Sequence, residues 1–472
     1  MTTGTAGTPA PPSSALRLTP EVALEKLAAY PFQVLSWVDG DGFPVSVAVT
    51  ASFRRPDGTA AFQVPAGLDV PTDRAVSLTG SHIRPQPGYG YDERRHVTAW
   101  GAATLAAGVL VFRPTKAWGW DEQELPFFEY SERSLGSARR YFDALSAERG
   151  TPVRPRLSAG WLFLRATRLP FLSATIVPVV VGIAVAAAHG TFDLLTAILT
   201  IIGAAFVQLG LNVANDVFDT LQGADDANVT PTRFSGGSRV IQYGLVSLRQ
   251  MASIATIFYL GAAAVGLVLL ALRGSAALLF IGVIGIIVSL AYTAAPLKLV
   301  YRGLGEIAVA VGFGPLMVVG AYVVQTRGEL SWEPFVVSIP IALLVALILY
   351  VNEIPDRRGD ARAGKRTLPV RYSRHAVVRG YDAAAVLAYA TVLVGVVVGI
   401  LPLPTLLMLL TIPLALRVHR GLLPNYDNPY GLMAIMAVNV QLHLVAGVLL
   451  LLAYVLVILG QAFLPGLPLF VR

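Results

Sequence analysis

"NVANDVFDTLQGAD", Asn212–Asp225, follows directly on a long apolar run. It carries Asp216, Asp219 and Asp225, with Asn212 and Asn215 among them. Carboxylates at the edge of a bilayer are costly unless something needs them. Read as the polar end of a membrane helix, the stretch sets the class of the chain and raises the question of what its acids hold.

Composition agrees with that reading. Of 472 residues, 55% are hydrophobic and 14% charged, and mean hydropathy is +0.63. A soluble protein carries about 25% charged residues. Polarity is uneven along the chain. Residues 1–155 mix charged and apolar side chains as a soluble domain does. Beyond Gly160, apolar runs of about 20 residues recur, the length that crosses a bilayer. The net charge of +7 is not gathered on an aromatic, groove-reading module, so no nucleic-acid partner is expected. With no cysteine, disulfides, thiolate metal sites and cysteine nucleophiles are excluded. The opening "MTTGTAGTPAPPSS" lacks a basic segment followed by an apolar one, so no secretory signal is expected. Residues 1–19 read as a disordered tail.

Residues 20–150 read as a soluble β domain. "FQVLSWVDGDGFPVSVAVTASF" gives two β-branched runs around Asp39-Gly40-Asp41-Gly42, a hairpin signal. "GTAAFQVPAG" and "RHVTAWGAATLAAGVLVFRP" add strands, with turns marked by Asp57-Gly58, Pro65 and Gly108. "YSERSLGSARRYFDALSAERG" reads as a closing helix. This order resembles the split β-barrel of the pyridoxamine 5′-phosphate oxidase-like, flavin-binding group. The resemblance implies FMN phosphate held by basic and hydroxyl side chains after the third strand. In "VPAGLDVPTDRAVSLTGSH" those are Arg74, Ser77, Thr79 and Ser81, with no lysine among them. His82 and His96 could ligate a haem or metal, although isolated histidines are more often ordinary surface or core residues. Trp118 and Trp120 could touch a bilayer surface.

After a linker and interfacial segment at 151–168, residues 169–472 hold the membrane domain. Nine spans can be drawn, near 170–188, 194–214, 250–272, 275–292, 304–325, 333–352, 380–401, 403–417 and 432–460. The expected fold is thus a multi-span all-α membrane protein with an N-terminal split β-barrel. With the N-terminal domain in the cytoplasm, the cytoplasmic segments carry Arg154, Arg156, Arg165 and Arg168, then Arg233, Arg239 and Arg249. The loop after the sixth span adds Arg357 to Arg379, whereas the other face has Arg273, Arg327 and the terminal Arg472. This bias fits a protein of the cell membrane with its acidic motifs on the cytoplasmic side.

A second acidic stretch matches the first. The sixth span ends in "NEIPDRRGDARAGKRTLPVR". Asn215 and Asp219 are four apart, and Asn352, Asp356 and Asp360 repeat at four. Residues four apart share a helix face, so each motif can aim its oxygens into one pocket. Facing carboxylate clusters repel unless a cation joins them. Magnesium takes oxygen ligands and bridges carboxylates to substrate phosphates. Arg168, Arg239, Lys298, Lys365 and Arg366 would then face the phosphates. A solvated loop explains one such motif but fits two poorly. A transporter would be expected to carry midspan acids or broken helices in corresponding halves, and none is evident.

These motifs resemble the UbiA superfamily of intramembrane prenyltransferases, from about Arg165 to the ninth span. "NDVFD" matches its first Asn-Asp motif, and "DRRGD" with Asn352 its second. "YTAAPLKLVYRGLGEIAVAVGFGPLMVVGAYVVQT", "AGKRTLPVR" and "GGSRVIQYGLVS" look most like the branch that prenylates 1,4-dihydroxy-2-naphthoate toward menaquinone. The resemblance implies magnesium and diphosphate at Asn215, Asp216, Asp219, Asp225, Asp356 and Asp360. It implies donor contacts at Arg168, Tyr292, Asn352, Lys365 and Arg366. Many members have a third acid four residues after Asp219; here Gly223 stands there, with Asp225 two further, as in the naphthoate branch. Lys298 follows Tyr292 by six, where many members place their basic residue at four. Glu353 and Pro355 depart from the Asn and Arg common in that branch. The implied reaction moves a polyprenyl group from its diphosphate to an aromatic acceptor, through ionisation assisted by Asp219, Asp356, Asp360 and Lys298. A phenol, a tetrapyrrole or a glycerol-phosphate lipid could replace the naphthoate, and a transporter or redox-sensing membrane protein is the rival of another class. Gly266, Gly282 and Gly285 read as helix-packing positions, and His443 and Gln441 as structural polar residues that satisfy each other or a neighbouring helix.

Overall fold

A computed structural model of the protein describes residues 17–54, 57–63, 67–72, 74–86, 90–106, 108–153, 157–228, 231–232 and 234–463. Pro65, Arg154, Arg156, Arg233, Arg472 and the first sixteen residues lie outside this set. The chain divides into two compact units, Met1–Arg154 and Pro155–Arg472.

The first unit is a strand-rich half-barrel. Its elements are β1 Arg17–Leu18, α1 Pro20–Leu27, β2 Gln33–Val38, β3 Pro44–Val49, β4 Ser52–Arg54 and β5 Thr59–Phe62. The long strands β6 Ala75–Gln86, β7 Gly90–Ala106 and β8 Val109–Asp121 follow, then α2 Phe127–Arg149. Period-two alternation makes β2 bury Gln33, Leu35 and Trp37 on one face. The β2–β3 turn closes because Asp39 Oδ1 accepts from the amides of Asp41 at 3.0 Å and Phe43 at 2.8 Å. Gly42 takes a φ of 89°, which a side chain would resist. The antiparallel sheet runs β3-β2-β6-β7-β8-β5-β4, with β1 on β8. Leu27, Leu35, Leu78 and Phe112 fill its core. Trp120 is buried rather than presented to a bilayer: its ring stacks on Tyr130 of α2, and its Nε1 donates to the Leu125 carbonyl at 2.8 Å.

In a bilayer each backbone polar group must be satisfied within its own segment, so the apolar runs of the second unit become helices. These are α3 Ala159–Thr167, α4 Ser173–Ala188, α5 Leu194–Leu221, α6 Ala224–Ala227, α7 Leu248–Arg273 and α8 Ala276–Thr293. There follow α9 Gly305–Val311, α10 Met317–Thr326, α11 Trp332–Arg362, α12 Leu368–Arg371, α13 Arg374–Val397, α14 Ile412–Asn425 and α15 Pro429–Phe463. A wide turn over Gly312–Leu316 joins α9 to α10, so the two cross as one span. Among the described residues, nine helices are long and apolar enough to cross a membrane, and the chain is a multi-pass membrane protein. Side-chain caps mark the starts: Asp193 accepts from Thr196 N, and Ser247 forms a capping box with Gln250.

Small residues set how closely the helices approach. A Cβ on Gly182 of α4 would overlap the Val318 carbonyl of α10, and one on Gly314 would overlap Ala342 of α11. Gly266, Gly282 and Gly285 do not have this role. A Cβ on any of them meets nothing within 4 Å, because all three line a cavity. His443 and Gln441 do not satisfy each other, since Gln441 is exposed; buried His443 instead bonds to the backbone of Ser173 on the neighbouring α4.

Candidate active site

The ends of α5 and α11 bring the two acidic motifs to one cavity of about 200 Å³. Past α5, Gly223 turns the chain at a φ of 74°, and α6 directs Asp225 back to the cavity wall. Asn215, Asp219 and Asp225 line it from this side, and Asn352, Asp356 and Asp360 from α11. Arg168, Lys365, Tyr292 and Glu353 are among the further polar residues of the wall.

One cation joins the motifs. Lys365 Nζ lies 3.0 Å from Asp219 Oδ2 and 3.9 Å from Asp360 Oδ1. Burial pulls the Lys365 ammonium toward losing its proton, but Asp219 and Asp360 outweigh burial and hold its pKa above the usual lysine value. Asp219 also accepts from Asn215 Nδ2 at 3.2 Å and from the Tyr301 hydroxyl at 2.9 Å. Thr293 donates to Asn215 Oδ1 at 2.6 Å, which fixes the amide. Asp356 is held by Asn228 Nδ2 and by the Gly236 amide, both at 2.9 Å. Burial pushes the Asp225 carboxyl well above the usual range, and the nearby Asp216 and Asp219 push it further. Its Oδ2 is buried without a hydrogen-bond partner among the described residues.

Other expected site residues lie behind the wall. Asp216 is buried, and both its oxygens are engaged, one by Arg168 and the other by the Ser238 amide at 3.1 Å. It therefore anchors the loop after α6 rather than facing the cavity. Arg239 donates to the backbone carbonyl of Asp225, bracing the same loop. Lys298 stands over the Tyr301 ring, 5.6 Å from its centroid, and does not line the cavity, because Lys365 takes the place beside Asp219. Arg366 is exposed, with its backbone amide bonded to the Tyr301 carbonyl at 3.0 Å.

Tyr301, Thr293 and Asn228 are site residues that the motifs alone do not reveal. Each comes from a turn or helix end remote in sequence from the motif residue it holds. Asn228, three residues after Asp225, carries the faintest usable signal: a further amide in an acidic run.

Among the described residues, no three carboxylate, histidine or cysteine side chains converge as ligands of one metal. The donors are nonetheless hard oxygens from two helices on one cavity, the chemistry magnesium prefers.

Beyond the polar cavity lies an apolar one of about 390 Å³ between α5, α7, α8 and the α9–α10 span. The two share Gln208, Leu211, Tyr292, Val309 and Phe313. Gln208 is fixed at this junction by Thr175 and by the Phe171 carbonyl at 2.8 Å. Space lined for a charged group therefore adjoins space lined for a hydrocarbon across these residues.

In the half-barrel, the residues expected to hold a flavin phosphate are engaged by the sheet or stand at its edge. The hydroxyls of Thr79 and Thr98 bond at 3.0 Å, Ser77 donates to the Ser36 carbonyl at 3.4 Å, and Arg74 is exposed just before β6. His82 Nε2 lies 3.3 Å from Glu93, and His96 packs against the Trp118 ring at 4.6 Å, so the two histidines have separate partners.

A family model described as the UbiA prenyltransferase family matches residues 175–439. The 1,4-dihydroxy-2-naphthoate octaprenyltransferase of Bacillus subtilis is 26% identical over 306 residues, covering 64% of this chain and 94% of that protein. The enzyme of that name from Mycobacterium tuberculosis is 35% identical over 251 residues, covering 52% of this chain and 80% of that protein. A solved UbiA homolog from Archaeoglobus fulgidus, bound to GPP and Mg2+, aligns at 14% identity with a TM-score of 0.45, covering 61% of this chain and 99% of that one.

Proposed function

The chain belongs to the UbiA prenyltransferase family, and from that premise we propose that it transfers a polyprenyl group from its diphosphate to 1,4-dihydroxy-2-naphthoate. The observation that carries the reading is the pair of joined cavities. One is walled by carboxylates and amides of both acidic motifs together with Lys365 and Arg168, and the other mainly by apolar side chains. A polyprenyl diphosphate has this division of polarity. The naphthoate acceptor is favoured by the names of the relatives from Bacillus subtilis and Mycobacterium tuberculosis.

Asp219, Asp356 and Asp360 would hold magnesium, with Asn215, Asn352 and the partly unsatisfied Asp225 beside them. When bound, magnesium supplies positive charge across the diphosphate oxygens, which eases their departure. Lys365 and Arg168 take up negative charge as the allylic carbon–oxygen bond breaks and its electron pair leaves on diphosphate. Tyr292 stands where the two cavities join, so the reacting carbon lies at its ring and the tail runs into the apolar side. Burial keeps water from the allylic carbon until the acceptor's ring carbon forms the new bond, and that ring carbon then sheds the group it carried, as a proton or as carbon dioxide, to restore the aromatic ring. The arginine and lysine bias favours a polar cavity at the cytoplasmic face of the cell membrane.

The test uses isolated membranes given magnesium, a labelled polyprenyl diphosphate and dihydroxynaphthoate. The expected result is a labelled lipid-soluble naphthoquinone precursor and one diphosphate per transfer. Diphosphate release without a prenylated product, for this and for other phenolic acceptors, would overturn the reading.

A further inference from the structure

The wall of the polar cavity contains a buried acid that no hydrogen-bond donor among the described residues reaches. Glu353 is 5% exposed and lines the cavity with Tyr292, Asn352 and Asp356. Among the described residues, neither of its carboxyl oxygens accepts from an N–H or hydroxyl donor. The group it faces is another carboxyl, that of Glu306 in the first turn of α9. One oxygen of Glu306 is likewise buried and unpartnered. The cations lining the cavity are directed elsewhere, Lys365 to Asp219 and Asp360 and Arg168 to Asp216.

Buried carboxyl oxygens that line a cavity and meet no donor are costly unless a ligand supplies one. A hydroxyl group, which donates its O–H to such an oxygen, is the complement of this site. A carboxylate or phosphate would meet the net negative charge and be disfavoured. Position narrows the ligand further. Glu353, Asp356 and Asp360 recur at three and four along α11, so they share a face. A group bonded to Glu353 therefore lies in the same cavity as the diphosphate contacts, and Tyr292 lines that cavity too.

We propose that Glu353, backed by Glu306, binds a ring hydroxyl of the aromatic acceptor and orients the ring for transfer. The inference rests on the prenyl-transfer reading and adds the acceptor's binding group to it. Glu353 holds the acceptor, and Glu306 positions Glu353.

The experiment uses purified full-length protein in lipid nanodiscs with magnesium and a polyprenyl diphosphate. Acceptors are dihydroxynaphthoate and its two mono-O-methyl ethers, and variants are Glu353→Leu, Glu353→Gln and Glu306→Gln. Loss of a buried hydrogen bond should raise the acceptor KM of Glu353→Leu about tenfold, with the donor KM unchanged. Glu353→Gln, which keeps a donor and an acceptor, should recover most of this loss, and Glu306→Gln should fall between them. Methylation of the bound hydroxyl should weaken the acceptor for the wild type by a similar factor, yet add little in Glu353→Leu. Donor and acceptor KM rising together in Glu353→Leu would reduce Glu353 to a structural role. Wild-type protein that uses both methyl ethers as well as the parent overturns the inference without any variant. Product from the wild type with an unchanged acceptor KM in Glu353→Leu overturns this inference alone, whereas no product from the wild type overturns the prenyl-transfer reading as well.

Discussion

Lys365 and Asp219 meet at 3.0 Å although 146 residues separate them, and the same ammonium lies 3.9 Å from Asp360. A single buried cation thus balances one acid from each motif. Removing it leaves carboxylates uncompensated, a loss of about 3 kcal/mol. Lys365→Met should therefore melt at a lower temperature than the wild type in detergent. Added magnesium should raise the variant's melting temperature more than the wild type's, because the ion can take over the missing charge. Equal magnesium shifts in both proteins would show that the two motifs do not share a cation site.

The aspartates of the first motif divide into two kinds. Asp219 faces the cavity, whereas Asp216 is bonded to Arg168 and Ser238 behind it. Asp219→Ala and Asp356→Ala should each lower turnover at least about 100-fold while the protein stays in the membrane. Asp216→Ala should instead lower stability by about 1–3 kcal/mol, by leaving the half-buried Arg168 and the Ser238 amide without their acceptor. Its yield of folded protein should fall further than the specific activity of what remains. Comparing activity per folded molecule across the three variants checks this. Equal loss in all three would return Asp216 to the cavity.

Glycines in the membrane unit also fall into two classes. Gly285 lines the apolar cavity with open space beyond it, whereas Gly182 abuts the Val318 carbonyl. Gly182→Ala should destabilise the protein by about 1–3 kcal/mol through overpacking, and Gly285→Ala should not. A phenylalanine at Gly282 or Gly285 should fill part of the cavity. Given a mixture of donors, those variants should shift their products toward shorter prenyl chains. Mass spectrometry of the products reads this directly, and an unchanged chain-length distribution would place the tail elsewhere.

The long elements were legible in the sequence because their signals are local. Apolar runs gave the nine spans, and spacing by four gave the faces of α5 and α11 that line the cavity. Asp39-Gly40-Asp41-Gly42 gave the first hairpin because the turn is closed by its own side chain. What failed to show depends on contacts across long sequence separations. Tyr301 reaches Asp219 over 82 residues, and Asn228 reaches Asp356 over 128. No periodicity marks either. Asp216 and Asp219 look alike in sequence, and only the Ser238 amide and Arg168 tell them apart. Gly266, Gly282 and Gly285 misled for a related reason. A glycine records that a side chain is absent but not whether a helix or a void takes its place.

The five residues shared by the two cavities act as a phase boundary inside the protein. On one side of Tyr292 and Gln208 the walls solvate ions, and on the other they solvate only hydrocarbon. Any ligand that fills both chambers must be a surfactant whose head-to-tail junction falls at that boundary. The protein can therefore select its donor as an interface selects a detergent, by where polarity changes along the molecule, and can accept tails of different length behind the same head.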